Sequence, residues 1–139
     1  MEFLKQYEVL YKKAKTDLKV AKNILEDFEN GDDELDLEVV MFHLQQSTEK
    51  LLKSLLALNS LHFTKTHDIE QLINCTKSNS IKIPDNIEKL INLSDYAVEG
   101  RYAIIHDDIE DTHQYIDILD TFKTFMKKEL ESHNDRQNG

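Results

Sequence analysis

Apolar residues return every three or four positions along most of this chain, which is the period of a helix lying against a core. Phe3, Tyr7, Leu10, Ala14, Leu18, Ala21, Leu25 and Phe28 set out a first helix that ends near Asn30 and Gly31, a usual pair at a helix C-terminus. The acids Asp32, Asp33 and Glu34 suit the positive end of the next helix, whose main stripe is Val40, Leu44, Leu51, Leu55 and Leu58. Met41, Leu52 and Leu56 widen that stripe beyond one face, so the second helix is expected to be central in a bundle.

After a turn at Asn59 and Ser60, Asp68 and Gln71 are spaced as a capping box for a third helix, which fades in the polar run "NCTKSNS". Pro84 suits the first turn of a fourth helix carrying Ile87, Leu90, Ile91 and Val98 up to Gly100. A second capping box, Asp111 with Gln114, opens a last helix with Ile116, Leu119, Phe122, Met126 and Leu130. The pattern predicts an all-α, antiparallel bundle of about five helices. Residues 1–133 form one domain and 134–139 a frayed tail. There is no internal repeat and no linker.

Composition fits that picture. Three glycines and one proline in 139 residues leave little material for the turns of a large sheet. The single cysteine, Cys75, cannot form an internal disulfide, no apolar leader opens the chain, and no apolar run is long enough to span a membrane. A cytoplasmic setting without a membrane is expected. With 27 acidic against 17 basic residues, the net charge of −10 disfavours broad, non-specific binding to nucleic acid but leaves room for a local basic site.

Lys12, Lys15, Lys19 and Lys22 provide one candidate, because steps of three, four and three keep them on one helical stripe, able to follow a phosphate backbone. A solvated face is the plainer explanation of such a stripe. His62 and His67 lack a third ligand at a recognised spacing and read as surface or capping residues, so no metal or cofactor is implied.

Three segments carry a resemblance. "FHLQQSTEKLLKSLLAL" (residues 42–58), "KTHDIEQLI" (65–73) and "LSDYAVEGRY" (93–102), in this order and spacing, resemble the HEPN family, the nucleotide-binding domains of higher eukaryotes and prokaryotes. The resemblance covers roughly residues 3–130. It implies a compact helical bundle, commonly a homodimer, and in prokaryotes often the neighbour of a small nucleotidyltransferase in a toxin and antitoxin pair. Many members are metal-independent ribonucleases that use an Arg, four to six residues, then His. Arg101 and His106 match the four-residue form, with Tyr102 and Asp107 beside them as binding candidates.

The chain is also similar to a subgroup that reads Arg-Tyr-Pro at this point, where Ala103 stands instead of proline. Asp108 occupies the position two after the histidine where another subgroup has a tyrosine that a partner modifies. Glu49 and Lys50 match a Glu-Lys pair common in the family, which suggests a buried or interface role, although solvated helix charges are the slightly preferred reading.

The chemistry of Arg101 and His106 is coherent. Cleavage of RNA by its own 2′-hydroxyl needs a proton acceptor that works near neutral pH, which imidazole supplies, and guanidinium suits the charge that develops on the phosphoryl oxygens. The alternative is that Arg101 pairs with Glu99, Asp107 or Asp108 and His106 starts a solvated loop. On one continuous helix the two side chains would stand about 140° apart, so a two-fold dimer that faces Arg101 of one chain to His106 of the other is the simpler way to unite them. A non-catalytic module that binds a nucleotidyltransferase partner or a nucleotide is the competing function.

Overall fold

The computed structural model describes residues 5–63, 65–96 and 108–138. Helix α1 spans Gln6–Glu29, α2 Leu37–Leu58, α3 Ile69–Ser78 and α4 Ile109–Asn138, and a 3₁₀ helix spans Ile87–Tyr96 between α3 and α4. All five described elements are helical, and α2 packs against each of the other four. The width of its apolar stripe explains this: Val40, Met41, Leu44, Leu52 and Leu56 are fully buried, and Leu51, Leu55 and Leu58 nearly so. Each such side chain contributes about 1.5–3 kcal/mol of burial.

α1 and α2 are antiparallel and approach closely. Ser47 donates its hydroxyl to the Ala14 carbonyl at 2.9 Å, and Ser54 does the same to that of Tyr7 at 2.7 Å. Small residues at these levels, Ala14, Ser47 and Ser54, let backbone and hydroxyl meet without a void. α4 runs antiparallel to α1, as shown by three contacts in register. The His113 and Glu29 side chains meet at 2.7 Å, Lys22 and Asp120 at 2.6 Å, and the rings of Tyr7 and His133 at 5.4 Å. α3 and the 3₁₀ helix form a second antiparallel pair on α2, joined by Lys77 to Glu88 at 2.8 Å and by the Ile69 N–H donating to the Ser94 hydroxyl.

Helices α1, α2 and α3 all end in the same backbone device. After α1, Gly31 (φ 98°) donates to the Phe28 carbonyl and Asp32 to that of Asp27, the paired bonds of a Schellman motif. Ser60 (φ 58°) and Ser80 (φ 56°) take the glycine position after α2 and α3, with Leu61 and Ile81 making the longer bond.

Several boundaries differ from the sequence expectation. The run "NCTKSNS" is helix up to Ser78, because Leu72, Ile73 and Thr76 continue the buried face. The fourth element does not start at Pro84: Asn86 sits at φ 71°, a left-handed conformation that interrupts any helix between Pro84 and Ile87. From Ile87 the buried residues are Ile87, Leu90, Leu93 and Tyr96, a strict interval of three that a helix of three residues per turn places on one face. The last helix opens one turn earlier than Asp111. Asp108 and Asp111 exchange side-chain bonds with each other's N–H at 2.9 and 3.0 Å, a reciprocal cap. Of the segment 134–139, residues 134–138 continue α4, and 134–137 are exposed. Phe3, Val98 and Gly100 lie outside the described residues.

Candidate functional site

The α1–α4 seam brings together the features that bear on function. Lys12, Lys15 and Lys19 are exposed along α1, and among the described residues none of them has a carboxylate partner. The Lys15 ammonium lies over the Tyr11 ring, 4.8 Å from its centre. Lys22 is different: its ammonium is held by Asp120 of α4 at 2.6 Å, so it ties the helices together and its charge is largely matched. The stripe therefore offers three unpaired cations to a phosphate backbone and a fourth that would have to leave an acid.

Arg101, Tyr102, His106 and Asp107 lie outside the described residues. The elements on either side are well anchored: Tyr96 closes the 3₁₀ helix with 3% exposure, and Asp108 caps α4, whose Thr112 is fully buried beside Met41. The chain thus enters and leaves residues 97–107 at fixed points, and His106 stands two positions before the α4 cap.

The end of the bundle that holds this cap also holds the C-terminus of α1 and the N-terminus of α2, because Glu29 meets His113 and Met41 meets Thr112. Residues 26–38 contain eight acids, residues 108–111 contain three, and neither stretch has a lysine or arginine. Eleven negative charges at one end compare with a net −10 for the whole chain, so the remainder is close to balanced. Near this end a groove of about 380 Å³ runs between α1 and α4, with Leu25 and Ile116 at its floor and Lys22, Glu26, Glu29, Asn30 and His113 around it.

Two polar clusters that sequence reasoning underrated lie along α2. Glu49 is 5% exposed and accepts hydrogen bonds from Lys53 Nζ (2.6 Å), Gln45 Nε2 (3.0 Å) and His67 Nδ1 (3.0 Å). Burial pushes its carboxyl up, but the bonds from Lys53, His67 and Gln45 outweigh this and hold it below the ordinary glutamate value. Gln45 also donates to the His67 carbonyl, and Lys53 lies 5.9 Å from the Phe63 ring, so this cluster fastens the loop between α2 and α3. On the opposite flank, Asp17 of α1 receives both Lys50 and His43 Nδ1, the latter at 3.2 Å.

Glu49 and Lys50 are thus engaged structural charges rather than solvated ones. The signal that could have revealed Glu49 is its place inside the run of apolar α2 positions, between Leu44 and Leu51–Leu52. His62 is exposed, and His67 serves Glu49 while staying 63% exposed at its side chain.

Among the described residues no three His, Cys, Asp or Glu side chains converge as metal ligands would, and no helix is long and apolar enough to cross a membrane. No curated protein and no solved structure is similar enough to count as a match. A model of the HEPN domain, in contrast, matches residues 7–130, nearly the whole chain and all five helical elements described above apart from the ends of α1 and α4. The chain belongs to the HEPN family.

Proposed function

We propose that this HEPN domain is a metal-independent endoribonuclease, the toxin of a pair whose other member is a nucleotidyltransferase, and that it acts as a homodimer. The observation that carries the reading is the Arg101 and His106 spacing within the span matched to the family, immediately before the cap of α4. His106 takes the proton of an RNA 2′-hydroxyl, and the oxygen attacks the adjacent phosphorus. The bond to the 5′-oxygen breaks, leaving a cyclic phosphate and a 5′-oxyanion, which takes a proton from solvent to become the 5′-hydroxyl. Arg101 holds the charge on the non-bridging oxygens, and Lys12, Lys15 and Lys19 carry the flanking backbone, with Lys22 joining if it leaves Asp120. Tyr102 and Asp107 contact the RNA beside the pair.

The test is incubation of purified protein with single-stranded RNA in EDTA. Cleavage to cyclic-phosphate ends, lost in His106→Ala with the fold retained, is the expected result; cleavage that EDTA abolishes and magnesium restores refutes the chemistry. Mixing Arg101→Ala with His106→Ala subunits restores partial activity if the two chains share the site.

A second reading draws on the charge distribution. Eleven acids stand at the end of the bundle that holds Asp108, two positions after His106 in the sequence, and repel RNA there, which favours a non-catalytic module that binds a nucleotidyltransferase partner or a nucleotide. Growth arrest on expression of this chain alone supports the ribonuclease, and its absence beside a neighbouring nucleotidyltransferase gene supports the module.

A further inference from the structure

The groove between the C-terminal turn of α1 and the first turns of α4 shares only Lys22, which Asp120 holds, with the proposed RNA path, and its make-up is specific. Its floor is aliphatic, from Leu25 and Ile116, and its rim carries Glu26 and Glu29 together with Lys22, Asn30 and His113. Two of these lining residues are already engaged: the His113 ring is hydrogen-bonded to Glu29, and the Lys22 ammonium is paired with Asp120. Glu26, by contrast, has no cationic partner among the described residues and stands exposed on the rim. Among the described residues, the two most exposed large apolar side chains, Val39 (38%) and Ile109 (40%), stand in the first turns of α2 and α4 at this same end.

We propose that this groove is a docking site for a basic segment of a partner protein, one whose lysine or arginine lays its aliphatic stem on Leu25 and Ile116 and its charged head against Glu26. Charge complementarity selects that occupant. Eleven acids without a lysine or arginine among them give this end a local field far above that of the balanced remainder, and it attracts a basic surface while repelling nucleic acid. An aliphatic floor beneath the unpartnered Glu26 suits a long side chain with an apolar stem and a charged tip, which a hydrated metal ion does not offer. The site is independent of the ribonuclease reading, since it lies on described helices and needs neither Arg101 nor His106.

The experiment uses the full chain and a fluorescein-labelled amphipathic peptide of arginine, leucine and alanine, with binding read by anisotropy at physiological salt. Glu26→Lys with Glu110→Lys is expected to weaken binding at least about tenfold, the scale of losing close charge pairs at an interface. Glu131→Lys with Asp135→Lys makes the same change in net charge at the opposite end of α4 and is expected to leave binding within about twofold, because screening confines the effect to about 8 Å. In the unmodified protein, amide shifts on peptide addition should centre on Leu25, Asn30, His113 and Ile116, a readout that does not depend on any variant folding.

Four results overturn the proposal: no binding, equal weakening by the two double variants, equal binding of a peptide in which short-stemmed diaminopropionate replaces arginine, or shifts centred on another face. Loss of a dimer in the Glu26→Lys, Glu110→Lys protein would make a second copy of the chain the occupant and overturn it as well.

Discussion

Removal of the Glu49 carboxylate tests the energetics of the α2 cluster most directly. In Glu49→Ala the three donors lose a shared acceptor, but not equally. Gln45 keeps its bond to the His67 carbonyl, and the His67 side chain is 63% exposed and turns to water, so neither adds much. Lys53 bears the cost: its side chain is 14% exposed, and its ammonium loses the 2.6 Å partner that justified its position. Breaking a buried pair from one side costs about 3–5 kcal/mol, and the residual access of Lys53 to solvent places this case near 3. Urea unfolding at pH 7 should show that loss as a lower midpoint with an unchanged slope.

Replacing both partners, Glu49→Met with Lys53→Met, removes the stranded charge and should recover most of the loss. The pH dependence follows from the depressed carboxyl. Its contribution is fully present above the unfolded value of 4.5 and is lost as pH falls through the lower folded value, so wild type and Glu49→Gln should converge in stability only below about pH 4.5. A loss below about 1 kcal/mol in Glu49→Ala, or a difference from Glu49→Gln that stays constant through the acid range, would refute the reasoning.

Ser60→Gly and Ser80→Gly should each raise stability by about 0.5–1 kcal/mol, measured by thermal or urea unfolding, because each serine holds a left-handed conformation that glycine adopts without strain. Asp108→Ala should cost about 1 kcal/mol and lower hydrogen-exchange protection in the first turn of α4, since it breaks the reciprocal bonds with Asp111. Glu88 is held below its ordinary value by the hydrogen bond from Lys77. It is half exposed, so Glu88→Gln should change stability by no more than about 0.5 kcal/mol, with the small effect disappearing as pH falls below about 4.5.

The sequence by itself determined the helices and which of them is central. Spacings of three and four separate the stripes of α1, α2 and α4 without reference to any neighbour, and a stripe as wide as that of α2 can only be covered from several sides. The C-terminus of α1 was legible for a local reason too, since only the Asn30-Gly31 pair there combines a cap with a residue free to take positive φ. The fourth element is expected from the sequence as a helix carrying Ile87, Leu90, Ile91 and Val98; its buried interval of three, Ile87, Leu90, Leu93 and Tyr96, came from the structure, and Pro84 drew its start too early for a reason that only the left-handed Asn86 shows.

What only the tertiary structure decided depends on residues far apart in sequence. Glu49 stands inside the apolar run of α2, but its partners are set only when the loop between α2 and α3 delivers His67 and its carbonyl to the same point, so the cluster is a property of the fold rather than of α2. The lysine stripe loses Lys22 to Asp120 for the same reason, 98 residues away. The acids of residues 26–38 and 108–111 look like two separate helix-end signals along the chain. Antiparallel packing of α1 with both α2 and α4 places them at one end, because charge adds through space and not along the chain.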